Sequence, residues 1–511
     1  MVVGSPAHVG TAPQARELVR RPHIFRRLLE GVGVICVVVA FAALVAVSPT
    51  LALLAAGFVL VVALAIVAPP FALVLSILLY GFEGTVKVGL GRELPDVGVT
   101  PEALGAAVLD LAFLIGVAGI AWRDRGRTLV TIWRRSGRLT HIALGLLALW
   151  LVASVVQIPV TGELHSALAG FRLTQAYVLA LLAGAMLLAT PRPGLVISAL
   201  VVALAIVAAY AAFRGVAGPT DSERVAAFLR STTPLVPSDN GVLFRNTGSF
   251  SSAIGLASFL VPAGVFLFGL GLSVSRLRLM AWSGVAFIVV SLVATYVRTS
   301  LMAIAAGAIC AVALITFMSG LPRKAKIALA VASAPVLTVL LVLGALAPNA
   351  VSGGSPEVEQ RSSGVLRPLS DPSLELRLER WKGSIDVVKK HPLGTGLGTV
   401  GAATRDKQGV VPTFADNSYI KILQEQGPLG ALPFVLGVFG ALLAAAMAIA
   451  RRDKRVRAVG IAAVSASLSF FLLAASSEAI EQPGKILAWL FMGIALWSAF
   501  AAPEPADRGA G

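Results

Sequence analysis

The chain has 511 residues, of which 57% are hydrophobic and only 13% are charged, and its formal net charge is +16. About a quarter of the residues in soluble domains are charged, so this composition excludes an ordinary soluble protein and indicates a polytopic membrane protein. The lysines and arginines punctuate apolar runs, so the basic excess does not indicate nucleic-acid binding. Cys36 and Cys310 lie in apolar segments and predict neither a disulfide framework nor a redox site.

Apolar runs predict an all-α fold: a polytopic integral membrane bundle of about 14 transmembrane helices (12 to 14), because about 20 apolar residues cross a bilayer. The third run is short, and Pro69-Pro70 could mark a re-entrant segment that would reverse the orientation of every later span. The predicted spans are approximately 31–48, 50–68, 70–82, 103–122, 141–158, 171–190, 194–212, 251–272, 279–297, 299–320, 327–347, 429–450, 457–475 and 485–501.

Charge between the spans predicts their orientation. With a cytoplasmic N-terminus, every charged inner loop is basic, as the positive-inside rule requires, and most acidic residues fall outside. The predicted inner loops carry Arg123, Arg125, Arg127, Arg134, Arg135, Arg138, Arg192, Arg276, Arg278, Arg323, Lys324, Lys326 and the basic run 451–457. The predicted organisation is a cytoplasmic basic tail (1–30), a transmembrane bundle (31–347), a large extracytoplasmic loop with short helices (348–428), C-terminal spans (429–501) and a cytoplasmic tail (502–511).

One acidic residue, Asp110, lies deep in an apolar segment, the fourth predicted span. Carboxylates inside membrane spans are often members of proton relays. The alternative is a hydrogen-bonded or interface-proximal residue, and the absence of a second carboxylate within the predicted spans favours that alternative.

The 348–428 loop is predicted to contain an amphipathic helix over residues 371–391. Its apolar residues recur at steps of three and four, which is typical of a helix lying on the membrane surface or capping the bundle. Arg377 and Arg380 are three residues apart and share a face beside the apolar stripe. Two guanidinium groups on one face form a fork for phosphate oxygens, and the alternative is salt bridging to Glu375 or Glu379.

Two more arginines lie at the predicted outer ends of spans. Arg298 separates two long apolar runs with almost no loop around it, and Arg245 lies just before the eighth span. The positive-inside rule gives no reason for a cation on the outer face, and a charge this close to the membrane needs a partner. Extension of either side chain to lipid phosphate is the alternative to a role in a site.

The second half of the loop contains a glycine run, Gly-Thr-Gly-Leu-Gly at 394–398, and a second helix that begins at Asp416-Asn417. The run does not join a strand to a helix, so tight turning is favoured over nucleotide binding. Asp416 either caps the second helix or is a general base at the outer mouth of the bundle. His391 is a rival base whose alternative role is to end the first helix.

The remaining predictions concern the surroundings of this site. Trp381, Asn417 and Tyr419 are expected to support it. Histidine, cysteine and carboxylate residues show no ordinary metal-ligand spacing, so neither a metal nor a cofactor is predicted. The positive charge of the site is therefore expected to come from arginine.

Taken together, these residues resemble the O-antigen ligase and O-antigen polymerase superfamily, membrane enzymes that move lipid-linked glycans on the outer face of the cytoplasmic membrane. The resemblance covers about residues 240–430. It lies in Arg245-Asn-Thr-Gly-Ser-Phe, Arg298-Thr-Ser, Arg377-Leu-Glu-Arg-Trp381, His391-Pro-Leu-Gly-Thr-Gly-Leu-Gly, Asp416-Asn-Ser-Tyr and Gln424-Glu-Gln-Gly427, in that order.

The resemblance implies a bacterial cytoplasmic-membrane glycosyltransferase whose active site faces outward. It implies a glycan donor on a polyprenyl diphosphate such as undecaprenyl diphosphate, and a glycan, lipid or wall-polymer acceptor. Arg245 and Arg298 fall where the family's diphosphate-binding arginines lie. Ligases of the family typically have His followed by Asn, Ser or Gln where this chain has Asp416-Asn417. This departure argues against a histidine-based mechanism and moves the interpretation towards polymerases or other members of the superfamily.

Two alternatives from other classes stay open. A polytopic transporter or flippase would place polar groups near the bilayer midplane within discontinuous helices. A polyprenyl-phosphate-sugar glycosyltransferase of the C-type fold would carry acidic catalytic residues in its first outer loop. The 83–102 loop keeps the second alternative open, whereas the collection of arginines at the outer boundary favours the glycan ligase or polymerase.

Overall fold

The structure is a computed structural model that describes residues 49–93, 101–159, 163–220, 224, 235–238, 241–318, 372–404 and 415–502. The predicted spans at 31–48 and 327–347, the N-terminal tail, and the C-terminal tail after residue 502 lie outside the described residues. So does the first part of the large loop, up to residue 371.

The described chain is a bundle of α-helices with one short β-hairpin. The helices are α1 (Pro49–Val67), α2 (Pro69–Tyr80), α3 (Glu83–Glu93), α4 (Pro101–Asp124), α5 (Arg127–Arg135), α6 (Arg138–Gln157), α7 (Leu164–Thr174), α8 (Leu179–Leu187), α9 (Pro193–Ala217), α10 (Ala253–Ser273), α11 (Arg278–Thr295), α12 (Arg298–Met318), α13 (Pro372–Lys390), α14 (Ser418–Ile449), α15 (Lys454–Ala474) and α16 (Lys485–Leu496). Strands β1 (Leu235–Ser238) and β2 (Gly241–Phe244) pair antiparallel within the predicted 213–250 loop.

Within the described ranges, nine helical stretches are long and apolar enough to cross a membrane, and three shorter apolar helices accompany them. These helices overlap all the predicted spans that fall inside the described ranges, including the short third one. Hydropathy works here because a segment surrounded by lipid must satisfy its backbone internally, which a helix does. The prediction of an all-α, polytopic membrane bundle is confirmed, whereas the count of fourteen spans stays a prediction.

The core of the bundle is built around α10 and α16. Helix α10 is almost completely buried and packs against α11, α12 and α15. Helix α16 crosses α8 at very short distance, because a β-carbon on Gly493 would lie 2.1 Å from the carbonyl oxygen of Leu181. Small residues at such crossings allow helix backbones to approach closely in a membrane.

The two ends of the bundle differ in charge. The basic end contains Arg192 and the basic segments 123–138, 274–278 and 450–457. The opposite end, here the acidic end, contains Glu83, Glu163, Asp416, Glu478 and Glu481. This segregation agrees with the predicted topology. That the acidic end faces outward stays a prediction.

Two features of the C-terminal part position the candidate site. Helix α14 begins well before the predicted span and contains a break at Gly427, where φ is 63° and ψ is −175°. The predicted second loop helix and the following span are therefore one element with a kink. The segment between α15 and α16, predicted as a short loop, instead folds inward, and its single helical turn Ala479–Glu481 is buried.

Candidate functional site

The first residues of α14 are fastened to the inward-folded segment that follows α15. The Asn417 side-chain amide donates to the carbonyl oxygen of Ala475 at 2.7 Å. The main-chain N–H and the hydroxyl of Ser418 both donate to the carbonyl oxygen of Ser477, at 3.1 and 2.9 Å. These bonds hold the start of α14 against the end of α15, so the backbone beside Asp416 is restrained.

Asp416 does not cap α14, so the capping interpretation is wrong. The cap is Asn417, whose side-chain oxygen accepts from the main-chain N–H groups of Tyr419 and Ile420 at 2.9 and 3.2 Å. Asp416 has a φ of 50°, in the left-handed region that aspartate tolerates better than most residues. Its carboxylate instead accepts from Nη1 of Arg380 on α13. Asp416 therefore links the two helices of the large loop as half of an ion pair.

The residue before Asp416 is held from two sides. The indole N–H of Trp381 donates to the carbonyl oxygen of Ala415 at 2.9 Å, and the N–H of Ala415 donates to Glu478 Oε1 at 2.7 Å. The side chains of Arg380 and Asp416 remain 45% and 33% exposed, so a ligand can reach the ion pair. The structure thus brings together Arg380, Trp381 and Asp416, as the sequence predicted.

Glu478 is a member of this group that the sequence analysis missed. Burial, reinforced by the neighbouring carboxylate of Glu481, raises the pKa of Glu478 to about 8. Glu478 therefore holds a proton at neutral pH while it neighbours the ion-paired Asp416. A polar run between two predicted spans, Ser-Ser-Glu-Ala-Ile-Glu at 476–481, was the available indication of this group.

A fully buried ionic cluster, which we call the lysine cluster, lies beneath this junction. It consists of Lys421, Glu425 and Glu481. The Lys421 ammonium lies 2.6 Å from Glu425 Oε2 and 3.3 Å from Glu481 Oε1, and none of the three side chains is more than 1% exposed. Buried charges persist only when they are paired and hydrogen-bonded, so the carboxylate oxygens require further donors.

Those donors come from the last residue of the glycine run and from the main chain that follows it. Glu425 Oε1 accepts from the N–H groups of Gly398 and Val400 at 3.0 and 3.3 Å, and Glu481 Oε2 accepts from the N–H of Ala402 at 2.9 Å. The N–H groups that would surround a phosphate in a nucleotide site surround the chain's own carboxylates. The large loop is therefore anchored on the buried charges of the bundle.

The favoured use of the glycine run, tight turning, is confirmed. Gly394, Gly396 and Gly398 have φ values of 90°, 97° and 71°, which only glycine adopts without strain. A β-carbon on Gly394 would also lie 2.3 Å from the carbonyl oxygen of Glu425. Glycine at these positions lets the loop backbone approach α14 closely.

Arg245 and Arg298 are brought to one corner of the acidic end. The N–H of Asn246 donates to the carbonyl oxygen of Ala294 at 3.0 Å, which places the residue after Arg245 on the last turn of α11. Tyr296 ends α11 with a left-handed φ of 55°, and Arg298 starts α12 two residues later. Both arginines are half-buried.

The loop that carries Arg245 is also tied to the start of α3. The Ser251 hydroxyl donates to Glu83 Oε1 at 2.8 Å, and Lys87 pairs with the other oxygen of Glu83. Burial raises the pKa of Glu83, but the Lys87 ammonium and these hydrogen bonds outweigh it and leave the pKa below its usual value. Glu83 is therefore an ionised anchor for this loop.

The other predicted residues lie outside the Asp416 group. Arg377 is half-buried one turn before Arg380 on α13. His391 is exposed, and its N–H donates to the carbonyl oxygen of Val387 at 2.9 Å, as expected of a residue that ends a helix. The Tyr419 hydroxyl donates to the carbonyl oxygen of Phe471 on α15 at 2.7 Å, so this side chain packs into the bundle.

Asp110 belongs to a separate polar group inside the bundle. Its Oδ1 accepts from the hydroxyls of Tyr80 and Tyr177, and its Oδ2 accepts from Nε of Arg172. The interpretation of Asp110 as a hydrogen-bonded residue is confirmed. Arg172 was not among the predicted site residues, although it lies at the predicted outer end of the 171–190 span, where the positive-inside rule gives no reason for a cation.

The chemistry available at the acidic end is that of arginines and carboxyl groups. Among the residues that the structure describes, no group of three or more His, Cys, Asp or Glu side chains is arranged to hold a metal ion. Arg245 and Arg298 at one corner and Arg380 at another suit oxyanions, because guanidinium groups bind phosphate oxygens in pairs. Asp416 is the carboxylate paired with the reachable Arg380, and Glu478 binds the main chain next to Asp416.

Comparison with known proteins relates part of this chain to one family. Residues 283–435 match the family model described as O-antigen ligase. The match includes Arg298, Arg380 and Asp416, excludes Arg245, and covers less than half of the chain. It confirms the resemblance to the O-antigen ligase and polymerase superfamily, and it supports a membrane enzyme of the O-antigen ligase type in general. A comparison with curated proteins finds no match.

The lysine cluster yields a stability prediction. Replacing Lys421→Met should lower the free energy of unfolding by about 3–5 kcal/mol, because Glu425 and Glu481 are then buried without their cation. The double variant Lys421→Met/Glu425→Gln should recover part of this loss. Thermal unfolding of the purified protein in detergent measures both effects. Lys389→Met, which removes an exposed ion pair with Asp386, is the control, and equal unfolding temperatures for both lysine variants would contradict the assignment.

The raised pKa of Glu478 predicts a pH dependence of stability. Between about pH 4.5 and pH 8 the folded protein holds a proton on Glu478 that the unfolded chain releases, so the stabilising contribution falls as the pH rises through that window. Glu478→Gln keeps a neutral side chain at every pH. The unfolding temperature of this variant should therefore increase relative to that of the wild type as the pH rises from 5 to 8. A constant difference across this window would show that Glu478 does not hold the proton.

Proposed function

We propose that this protein is a glycan ligase or polymerase that transfers a glycan from a polyprenyl-diphosphate donor to an acceptor hydroxyl on the outer face of a bacterial cytoplasmic membrane. The observation that carries the proposal is the Arg380–Asp416 ion pair. It is exposed at the acidic end of the bundle, held by fixed main-chain contacts, and contained in the residues that match the O-antigen ligase family.

The proposed reaction is a displacement at the anomeric carbon of the donor glycan. The acceptor oxygen forms a bond to that carbon, and the bond between the carbon and the diphosphate oxygen breaks. The electron pair leaves with the lipid diphosphate. The hydroxyl proton moves to the Asp416 carboxylate, which acts as general base and later releases the proton to solvent.

Arginines supply the positive charge that the leaving group needs. Arg298 begins α12, and Arg245 precedes a residue that is hydrogen-bonded to the last turn of α11. Both arginines therefore lie at the same corner of the acidic end. Fixed cations directed at a developing oxyanion stabilise the transition state without reorganising during the reaction. Arg380 has the different task of orienting Asp416.

Aspartate at position 416, where ligases of the family have histidine, favours a polymerase. A carboxylate base next to the protonated Glu478 can exchange protons with it, whereas a histidine would bring a second cation beside Arg380. The acceptor we favour is therefore a growing glycan. No metal or cofactor is part of this proposal.

A transporter or flippase is the second candidate, and one observation favours it. The helical segment Leu164–Leu187 is interrupted by a short 3₁₀ turn at Ala176–Val178, beside the polar group around Asp110. Discontinuous helices with polar groups at depth are typical of transporters. An assay that separates covalent glycan transfer from movement of the lipid across proteoliposomes distinguishes the two functions.

Asp416→Asn tests the proposed base. The variant keeps the size of the side chain and leaves the Asn417 cap intact, but it removes the proton acceptor, so transfer should fall by about a hundredfold or more. The measurement is glycan transfer by full-length protein in proteoliposomes, with a polyprenyl-diphosphate oligosaccharide extracted from the producing cells as donor. Asp386→Asn, an exposed carboxylate on the same loop, should keep wild-type activity. Unchanged turnover of Asp416→Asn would remove Asp416 from the mechanism.

Arg245→Ala and Arg298→Ala test the diphosphate-binding role. Each should abolish transfer while the amount of protein inserted in the membrane stays unchanged, because each removes a cation that stabilises the leaving group. The same transfer assay and a membrane-fraction immunoblot measure the two quantities. Arg192→Ala, at the basic end, is the matched control. Normal transfer by both variants would overturn the assignment of the diphosphate site.

A further inference from the structure

Arg172 lies in the last turn of α7, a helix that packs against the large loop: a β-carbon on Gly170 would lie 2.4 Å from the main-chain nitrogen of Gly398. Arg172 is eight residues into α7 and its partner Asp110 is nine residues into α4, so both lie roughly 12–14 Å from the starts of their helices at 1.5 Å per residue. Their side chains are nevertheless 41% and 19% exposed. A charged pair that lies within two candidate membrane spans and stays accessible is costly, so such residues are by default candidates for a functional site.

The polar group around Asp110 fixes the orientation of Arg172. Both carboxylate oxygens of Asp110 are occupied, one by two tyrosine hydroxyls and the other by Nε of Arg172. The rings of Tyr80, Tyr177 and Phe113 pack against one another with centroids 6.1–6.4 Å apart, which immobilises the hydroxyls. Among the described residues, Arg172 makes its hydrogen bond through Nε. The N–H donors of its two terminal nitrogens are thus left for an oxyanion.

A buried lysine lies behind this group. The Lys485 amino group lies 4.2 Å from the centroid of the Tyr177 ring, and it donates to the carbonyl oxygens of Leu173 and Glu481. Lys485 therefore fixes the main chain at the end of α7, next to Arg172, and connects it to the segment before α16.

The residues beside the pair are apolar and exposed. Leu168 is one turn from Arg172 on α7 and is 49% exposed, and Leu114 is one turn from Asp110 on α4 and is 44% exposed. In a membrane bundle, exposed leucines face lipid tails. A ligand that reaches Arg172 along this surface carries both an apolar chain and an anionic head.

We propose that Arg172, oriented by Asp110, binds the phosphate oxygens of a lipid that approaches between α4 and α7. The ligand chemistry is a phosphate group on a hydrocarbon chain. Under the proposed function, on which this identification rests, the lipid is the polyprenyl-diphosphate donor, and Arg172 receives its head group before Arg245 and Arg298 do. Ordinary phospholipid presents the same chemistry, and the experiment separates the two sources.

The experiment measures binding of geranylgeranyl diphosphate to the purified full-length protein in detergent. The double variant Arg172→Ala/Asp110→Asn removes both charges together, so it leaves no unpaired carboxylate in the bundle. Its dissociation constant should rise by about tenfold to a hundredfold, the value of a hydrogen-bonded charge pair. Arg172→Lys, which keeps the pair with Asp110 but lacks the guanidinium fork, should show a smaller rise and serves as the second variant. Arg192→Ala, at the basic end, should bind as the wild type does.

Competition identifies the source of the phosphate. If short-chain phosphatidylglycerol displaces the probe from the wild type but not from the double variant, the site binds lipid phosphate in general. If it does not displace the probe, the site is selective for polyprenyl diphosphate. Equal binding of the probe by wild type and both Arg172 variants, or equal binding of geranylgeraniol, which lacks phosphate, would overturn the proposal. Because binding is measured without transfer, a failure of the proposed function would leave this result intact.

Discussion

Charge burial constrains the whole acidic end of this bundle. Lys421 is fully buried and pairs with both Glu425 and Glu481, and the main chain of the large loop supplies the hydrogen bonds that the carboxylates still need. The loop is therefore held by buried charged groups that depend on it for their hydrogen bonds. Because Asp416 lies in this loop just before α14, and α14 carries Lys421, the position of the candidate base depends on the same cluster.

Helices and their approximate positions could be read from the sequence because lipid imposes a simple rule on it. A run of about 20 apolar residues has to form a helix when no water can satisfy its backbone. The position of the loop helix α13 could also be predicted, for a different reason. Its start at a proline and its end before His391 follow from capping and periodicity. The sequence also singled out Arg380 and Asp416, which the structure joins in an ion pair, because both were charged residues in an apolar chain without a topological explanation.

What the sequence could not reveal depends on contacts between distant segments. The left-handed backbone at Asp416 moves the cap to Asn417, and no local pattern distinguishes two adjacent capping residues. Glu478 was overlooked because a segment of nine residues between two spans looks like a surface loop, whereas this one folds inward. Arg172 was overlooked because its partner Asp110 is 62 positions away in the chain.

The lysine cluster also limits how this chain can diverge. Lys421 and Glu425 lie one turn apart on α14, whereas Glu481 comes from the segment before α16. Each of the two carboxylates accepts hydrogen bonds from the loop. A substitution of one member leaves the others charged inside the bundle, so intermediates with a single change are disfavoured. Among relatives that share this architecture, positions 421, 425 and 481 should therefore vary as a set. Such joint variation would identify the three positions even in relatives whose surrounding apolar residues have diverged too far to be aligned.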